Sequence, residues 1–527
     1  MDAGRGWGPI MIKPSWFSET MGSFCLILAQ PPIWRGRLAA DYWQQLGQRI
    51  RQQGGRLLGI WGEHQDTAGA NIHAFFLTES GYLWCTLPLP ANLREFPSLS
   101  SVFPTACRQE RAIRDLLGLE PLGNPDMRPW LRHAAWPANI HPLAMSDIPE
   151  DILSCAGEID YSYRAPAGQD LHEIPVGPVH AGTIEPGHFR FTCLGEQIVQ
   201  LEERLGYCHK GIERLFVGQP PDAALRLAGR VSGDSSVAYA WSYAMAVESV
   251  AEIELSQRAL ALRGLCLERE RLANHLGDLG ALGNDAGLAF ALTQLLAIKE
   301  ELLRENAEIF GHRYLMDVVQ LGGVAVDLDG RALQHIEQSS KAWRRRLETL
   351  DLLLQEHAGL RDRLVATGPI TAERAAYWGM AGLSGRASGQ AWDLRTHFAP
   401  PPYDRYPMEI SLARRGDVAA RWAVRFAEVF RCLRWQENVV ANLPGGSPRV
   451  ALKAFPKDGE GLGICEGWRG EVFVALRLED GHIARCHPHE PSWSLWPVLE
   501  EAVCQDIVAD FPLINKSFNL SYSGQDL

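Results

Sequence analysis

The chain has 527 residues, of which 46% are hydrophobic and 22% are charged, and its formal net charge is −12 at neutral pH. A chain of this length normally forms two or more domains, and this composition is typical of a folded protein with a substantial core. The acidic balance argues against binding nucleic acid through the overall electrostatic field.

The N-terminal sequence and the cysteine spacing indicate where the protein is located and whether its thiols are reduced. The longest apolar run near the N-terminus is FCLILA at 24–29, which is too short to cross a membrane and lacks the flanks of a signal peptide. None of the 11 cysteines belongs to a pair separated by two residues. We therefore expect reduced thiols, no transmembrane segment in this chain, and a cytoplasmic location unless partners hold the chain to a membrane.

The first part of the chain alternates strand-like and helical runs. Between residues 20 and 90 the runs FCLILA, RLLGIWGEH, NIHAFFLTE and YLWCTLPL predict strands, and DYWQQLGQRIRQQ predicts a helix. A second helix is predicted from Ala106 to Leu119, ended by the Leu-Gly-Asn-Pro run at 122–125. These patterns predict a small α/β domain over residues 1–150 and a loop-rich linker over 151–173.

From residue 190 onward, apolar residues recur at three- and four-residue spacing. Helices are predicted at about 193–218, 221–228, 236–282, 287–311, 331–366 and 416–442. Strands are predicted in GGVAVDLDG (322–330) and in a hairpin within EVFVALRLEDGHIARCHPH (471–489), with its turn at 480–481. The fold class is therefore α+β, with a mainly α-helical second domain over 174–527.

The loop RVSGDSS at 230–236 comes directly before a long predicted helix. Ser232, Asp234 or Ser235 can each accept a hydrogen bond from the free N–H groups of a first helical turn. The loop lacks the Gly-X-Ser-X-Gly pattern of a nucleophile elbow, which argues against a catalytic serine. The residues alone therefore predict a helix cap.

The segment 174–215 concentrates ionisable side chains among glycines and prolines. They are His180, Glu185, His188, Arg190, His209, Lys210 and Glu213. A loop surface and a buried proton-handling site explain these residue types equally well, and the eight-residue spacing of His180 and His188 does not make them converge on a metal.

Two further clusters carry weaker signals. The first shares one face of a predicted helix, which fits either surface ion pairs or a buried polar seam; its members are Glu268, Arg271, His275 and Asp278. The second is CHPHE at 486–490, which we interpret as accidental clustering in a loop rather than a metal site.

Several long motifs, in unbroken order, resemble one family. They are GPVHAGTIEPGHFRF, GYCHKGIERL, RVSGDSSVAYAWSYAMAVE, ERLANHLGDLGALGNDAGLAF, GLSGRASGQAWDLR, GWRGE and DFPLINKSFNLSYSGQDL. They are similar to the large subunits of membrane-bound, energy-converting nickel–iron hydrogenases, of the formate hydrogenlyase and hydrogenase-4 type, and to the related subunit of complex I (NADH-quinone oxidoreductase). The stretches at 96–133 and 136–144 resemble the 30-kDa α/β subunit of complex I. The resemblance therefore implies a fusion of complex I-like 30-kDa and 49-kDa domains.

The departures from that family concern the metal site. In the active hydrogenases, cysteine pairs near each end of the large subunit bind nickel and iron. Matching the motifs places these ligand positions at Ser232, Ser235, Ser521 and Gly524. A hydroxyl near neutral pH is not a thiolate, and glycine has no side-chain donor, so the resemblance implies a vestigial site without nickel and iron.

Complex I also lacks the metal ligands and binds quinone in the vacated space. In this chain Gly233 stands where the resemblance implies the quinone tyrosine, whereas His180 and His188 match the histidine-bearing quinone loop. The resemblance further implies proton-handling roles for Glu213, His180 and Asp278. It implies that Arg469 binds an anion or a carboxylate, such as Asp234.

The leading hypothesis is a subunit of a membrane-associated oxidoreductase, inactive when isolated. It would lie at the cytoplasmic face of the cell membrane and receive electrons from a 4Fe–4S cluster in a partner iron–sulfur subunit. Antiporter-like and complex I-like membrane subunits would couple this transfer to proton or ion movement. NADH would enter only through another subunit, because this chain has no glycine-rich dinucleotide fingerprint between a strand and a helix.

Two alternatives belong to other functional classes. The first is a structural assembly subunit without its own substrate site. The second is a true hydrogenase or formate hydrogenlyase large subunit, which would need unorthodox metal ligands.

Overall fold

A computed structural model describes residues 24–65, 69–145, 161–164, 168–180, 184–452 and 454–527. The chain divides into two compact units, residues 1–127 and 128–527. The boundary predicted at 150 stays a prediction. Residues 151–160 and 165–167 of the predicted linker lie outside the described residues, and the end of that linker enters a strand at Leu171.

The first unit is an α/β layer. Its elements are β1 (Phe24–Ala29), β2 (Pro32–Arg37), α1 (Ala40–Gln52), β3 (Arg56–Gln65), β4 (Gly69–Thr78), β5 (Gly81–Leu89), β6 (Glu95–Pro97), α2 (Ala106–Leu117) and β7 (Glu120–Leu122). The main sheet has the order β1-β2-β5-β4-β3 and is antiparallel except between β2 and β5. Each strand expected from the sequence is present, and the short strands β2, β6 and β7 were missed.

Helix α2 illustrates how the first unit packs and where the prediction was wrong. It ends at Leu117, before the predicted Leu119, because Gly118 takes the left-handed conformation that closes a helix. A Cβ at Gly62 of β3 would lie 2.5 Å from a Leu117 methyl carbon, so the glycine lets the helix approach the strand closely. The 122–125 run therefore lies beyond the helix end.

The second unit is mainly helical. Its first half contains β8 (Leu171–Val176), β9 (His188–Leu194), β10 (Gln197–Arg204), α3 (Ile212–Phe216), α4 (Pro221–Ala228), α5 (Ser236–Val250), α6 (Gln257–Asp285), α7 (Ala289–Phe310), β11 (Val319–Gln320) and β12 (Gly323–Val324). Its second half contains α8 (Gly330–Glu356), α9 (Ala358–Leu364), α10 (Ala372–Trp378), α11 (Gly382–Ala387), α12 (Leu394–His397), α13 (Val418–Ala441), β13 (Gly459–Glu466), β14 (Glu471–Glu479), β15 (His482–His489), α14 (Ser492–Ala502), a 3-10 turn (Val508–Asp510), α15 (Phe511–Phe518) and α16 (Tyr522–Asp526).

The helix predicted at 193–218 was wrong. Residues 188–204 form the β9–β10 hairpin, which pairs with β8 in a three-stranded antiparallel sheet, and only 212–216 are helical. Gly195, with a positive φ of 60°, makes the turn that a continuous helix would exclude. The run 236–282 is likewise two helices, α5 and α6, and 331–366 is divided at His357 between α8 and α9.

The hairpin predicted at the C-terminal end is confirmed as β14 and β15, joined at Asp480 and Gly481. The predicted loop at 486–490 is instead the end of β15. Strand β13 completes this sheet and packs on α5. A Cβ at Gly463 would lie 2.1 Å from the Ser242 carbonyl oxygen, so glycines on β13 allow helix and strand backbones to touch.

A network of buried ion pairs holds the helices of the second unit together. Glu268 of α6 pairs with Arg271 and Arg395 at 3.0 Å each, which makes this helix face a buried seam rather than a surface row. Arg386 of α11 binds Glu428 of α13 at 2.7 Å and Glu466 of β13 at 2.9 Å. A buried charge is tolerated only when its partners stay in place, so these elements are mutually dependent.

Removing Arg386 should strongly destabilise the second unit. Arg386→Met removes the guanidinium shared by three buried carboxylates, those of Asp393, Glu428 and Glu466. We expect a loss of about 3–5 kcal/mol in the free energy of unfolding, measured by urea titration. The matched control is Arg304→Met, because that arginine is exposed and should contribute less than about 1 kcal/mol. Equal losses in the two variants would contradict the network.

Candidate functional site

One cavity of about 590 Å³ lies within the second unit. Most of its lining comes from three parts of the chain: residues 176, 180, 184 and 185 at and after the end of β8, the 232–234 loop before α5, and the C-terminal segment from Phe511 to Ser523. Phe189 of β9, Asp285 of α6 and Arg469 complete it. His180, Ser232, Arg469 and Ser521 all line it. Residues more than 200 positions apart in the chain therefore share one space.

Ser232 and Ser235 of the RVSGDSS loop are buried, and their hydroxyls bond side chains instead of the first turn of α5. The hydroxyls of Ser232 and Ser235 donate to Asp234 Oδ1 at 2.8 and 3.1 Å. Ser232 Oγ lies 2.9 Å from Ser521 Oγ. The loop before α5 and the C-terminal segment, 289 positions apart, therefore meet in a direct hydroxyl–hydroxyl hydrogen bond.

The expectation that this loop caps α5 was wrong. Ser235 occupies the N-cap position but makes no capping bond with its side chain. The N–H groups of Val237 and Ala238 donate instead to the Glu270 carboxyl of α6, at 2.6 and 3.2 Å. The Glu270 carboxyl therefore takes the place of a loop hydroxyl as the acceptor for these first-turn N–H groups.

Arg469 is buried and binds three separate segments. Its guanidinium pairs with both oxygens of Asp234, which is the carboxylate partner expected from the sequence. Its Nε donates to the Asn519 carbonyl at 2.6 Å, and its Nη1 lies 3.3 Å from Glu490 Oε2. Burial would raise the pKa of Asp234, but Arg469 and the two serine hydroxyls hold it below its usual value.

Ser521 and Gly524 stand at the start of the last helix. Ser521 Oγ accepts a hydrogen bond from the Gly524 N–H at 2.8 Å and so caps α16. A Cβ at Gly524 would lie 2.7 Å from Glu490 Oε1, so no larger residue fits there without displacing that carboxyl. Burial raises the pKa of Glu490 above its usual value although Arg469 lies beside it.

A nickel–iron centre does not fit this arrangement. Its four expected ligand positions offer three hydroxyls, one glycine without a side chain, and no thiolate. Ser232 and Ser521 are already in hydrogen-bond contact, and Glu490 occupies the space beside Gly524. Within the described ranges, no three His, Cys, Asp or Glu side chains converge as a metal site would require.

The two histidines of the predicted quinone loop have different environments. His180 lines the cavity, and its Nε2 lies 2.8 Å from the Gly187 carbonyl. His188 begins β9, is buried, and its Nδ1 lies 3.3 Å from the Gly177 carbonyl. Burial lowers the pKa of His188, which favours its neutral form. Only His180 faces the cavity directly.

Glu213 and Asp278 lie outside the cavity lining. Glu213 on α3 is 2.6 Å from Arg485 and 2.8 Å from His487 of β15. Burial alone would raise the pKa of Glu213, but these partners lower it to about 2, so this carboxyl stays ionised near neutral pH. Asp278 pairs with Arg425 at 3.0 Å and accepts from the Asn519 amide at 2.7 Å, one residue layer behind the cavity wall.

Sequence reasoning missed three residues at this site. Glu490 belonged to the CHPHE stretch that was interpreted as accidental, Lys516 lies on α15 at the cavity wall, and Glu270 caps α5. Of these three, only Glu490 could have been found from the sequence, because it directly follows a run of ionisable residues. The other two acquire their positions through helix packing.

Family comparisons agree with this two-part architecture. The family described as respiratory-chain NADH dehydrogenase, 30 Kd subunit, matches residues 37–149, and the 49 Kd subunit family matches residues 285–457. The membrane-bound sulfane sulfur reductase, an archaeal respiratory membrane complex, contains a chain with the same fold. The TM-score is 0.65 at 24% identity, covering 69% of this chain and 100% of that one.

Full-length relatives carry the same fusion. The chain is 30% identical over 488 residues to hydrogenase-4 component G of Escherichia coli, covering 90% of this chain and 84% of that protein. It is 28% identical over 485 residues to formate hydrogenlyase subunit 5 of the same organism, covering 90% and 85%. It is 27% identical over 403 residues to the C/D subunit of NADH-quinone oxidoreductase from Bacteroides thetaiotaomicron, covering 73% and 76%. The chain belongs to this complex I-related family, in which 30-kDa and 49-kDa domains are fused.

Enlarging residue 524 should destabilise the site. Gly524→Ala forces the new methyl group against Glu490, and we expect a loss of about 1–3 kcal/mol in the free energy of unfolding. The double variant with Glu490→Ala should recover part of this loss in a double-mutant cycle. Gly445→Ala is the control, because a Cβ there meets no atom within 4 Å. Additive single and double losses would contradict the steric account.

The Glu213 ion pairs should make stability depend on acid pH. Because the folded-state pKa is depressed from 4.5 to about 2, the stabilisation is present above pH 4.5 and is lost as the pH falls towards 2. The difference in unfolding midpoint between wild type and Glu213→Gln should therefore shrink across this window. Glu356→Gln, at an exposed position, should follow the wild type throughout. A constant wild-type to Glu213→Gln difference would refute this assignment.

Proposed function

We propose that this chain is the subunit of a membrane-associated oxidoreductase that holds a small redox-active acceptor beside a partner's 4Fe–4S cluster, without a nickel–iron centre. The observation that carries the proposal is the shared cavity. Four residues singled out from the sequence, His180, Ser232, Arg469 and Ser521, line it together. The relationship to formate hydrogenlyase subunit 5 and to the C/D subunit of NADH-quinone oxidoreductase supports the redox assignment.

The cavity has the two-sided character of a site for a ring with polar substituents. One part of its wall is apolar and includes Val176, Phe189 and Phe511. The other part carries the Ser232 and Ser521 hydroxyls and the Asp234–Arg469 pair. Such sites bury an apolar body and orient it through a few polar groups, so a quinone head group is the acceptor that we propose.

His180 is the proposed proton donor to that acceptor. Reduction of a quinone to a quinol takes up two electrons and two protons, and imidazole exchanges protons near neutral pH. The Nε2–H of His180 donates to the Gly187 carbonyl, so the proton passed to the acceptor is the one that the imidazolium form carries on Nδ1. Glu213 is held ionised by Arg485 and His487, and we therefore assign it a structural role beside Asp278.

Partner subunits would supply the electrons and the membrane attachment. We propose an iron–sulfur subunit that faces the cavity and antiporter-like, complex I-like membrane subunits that move protons or other ions. The assembly would place this chain peripherally on the cytoplasmic face of the cell membrane. No helix in the described part of the chain has both the length and the apolar character needed for a bilayer crossing.

The test is purification of the intact complex from solubilised membranes through a tag on this chain, followed by nickel analysis and a quinone reduction assay. We expect no stoichiometric nickel, and a loss of quinone reduction of about 10²-fold or more in His180→Ala. The complex should keep its subunits. The matched control is His172→Ala, on the exposed side of β8.

Two outcomes would overturn this proposal. Stoichiometric nickel would favour a hydrogenase, and unchanged quinone reduction in His180→Ala with all subunits present would remove the acceptor site.

A structural assembly role is the second candidate, and the bonds of the serine loop favour it. Asp234 and Arg469 satisfy each other, and Ser232 bonds Ser521 directly, as in a site that needs no ligand. On this alternative, Ser232→Ala and Arg469→Gln weaken subunit retention and leave turnover per assembled complex unchanged. The redox proposal expects the opposite result: both variants keep the subunits and lose turnover per assembled complex.

A further inference from the structure

A second, smaller cavity adjoins the first. It has a volume of about 140 Å³ and lies between α6, α7 and the segment 313–315. Gly233 and Asp234 line both cavities. Tyr314, on the far wall of the smaller one, is 46% exposed and therefore marks its side towards solvent.

Gly233 is the point at which the two cavities meet. A Cβ at this position would have no heavy atom within 4 Å, so open space borders the backbone here. The φ angle of Gly233 is not in the left-handed region, so the conformation does not require glycine. Gly233 is exposed, and the glycine leaves open the space that both cavities border rather than relieving backbone strain.

The smaller cavity is lined by two titratable groups whose pKa values are shifted in opposite directions. Glu270 is buried, and its burial raises the pKa to about 8 against the opposing effect of two backbone N–H bonds. Lys299 of α7 extends to Gly277 of α6, and burial lowers its pKa. The other charged groups around them are Asp234, Arg271, Asp278, Arg313 and Lys516.

We propose that Gly233 joins the two cavities into one passage from the surface at Tyr314 to the acceptor, and that Glu270 exchanges protons along it. The proton role rests on the proposed function, whereas the passage itself does not. In each transfer the Glu270 carboxyl releases one proton towards the acceptor as it is reduced by the partner's electrons. Water in the smaller cavity, which reaches solvent at the Tyr314 end, then returns one proton to the resulting carboxylate.

Thiol labelling tests the passage without any assay of activity. Gly233→Cys in the full chain is treated with a small water-soluble methanethiosulfonate, and the modification at position 233 is followed by peptide mass spectrometry. Ala273→Phe, which fills the smaller cavity, should slow this modification severalfold. Ala289→Phe, at an exposed position on α7, should leave the rate unchanged. If Ala273→Phe fails to fold, Leu303→Trp fills the same cavity from α7.

Equal rates with the smaller cavity open and filled would overturn the passage, because position 233 would then be reached only from the larger cavity. No modification at position 233 would overturn it as well.

Unfolding tests the proton exchange at Glu270. Because the folded state holds a proton on Glu270 between pH 4.5 and about 8, the wild type should lose stability relative to Glu270→Gln as the pH rises through this window. A permanently ionised helix cap would show no such loss, and that result would overturn the proton role.

In the purified complex, Glu270→Gln should shift the pH profile of quinone reduction, and Glu270→Asp should restore it. An unshifted profile with active complex overturns the proton role, whereas an inactive wild type would refute the proposed function instead.

Discussion

A single buried guanidinium, that of Arg469, sets the geometry of the candidate site. It pairs with Asp234 before α5, approaches Glu490 at the end of β15 and donates to the Asn519 carbonyl before the last helix. A buried arginine without partners would be very costly, so each of these segments is held in place by the same charge. The loop, the hairpin and the C-terminus converge because Arg469 requires all three.

The arrangement explains what occupies the space between the two vestigial ligand pairs. Instead of a metal, the space contains a hydroxyl–hydroxyl bond between Ser232 and Ser521 and the carboxyl group of Glu490 beside Gly524. Asp234, Arg469 and Glu490 are the charged groups beside these positions, and a cavity of about 590 Å³ adjoins them.

Local patterns predicted the elements whose own residues specify them. The β14–β15 hairpin follows from its Asp-Gly turn, and α2 and α13 from their periodicity. The errors occurred where a single glycine overrode a longer helical pattern: Gly195 turned an expected helix into a hairpin, and Gly118 ended α2 early. The face of α6 that carries Glu268 to Asp278 was visible in the sequence, but its burial depends on α11, α12 and α13, which lie far away in the chain.

The sequence by itself determined the family, the fusion of two domains and the chemical identity of the four positions that lack thiolates, because each of these depends on residue type and order. Only the tertiary structure decided which charged residues are functional neighbours. It places His180 in the cavity lining and Glu213 in a separate ion-pair cluster. It brings Glu490 to Arg469, and it caps α5 with Glu270 rather than with Ser235. These outcomes depend on contacts between residues up to about 300 positions apart, which packing creates and local spacing does not encode.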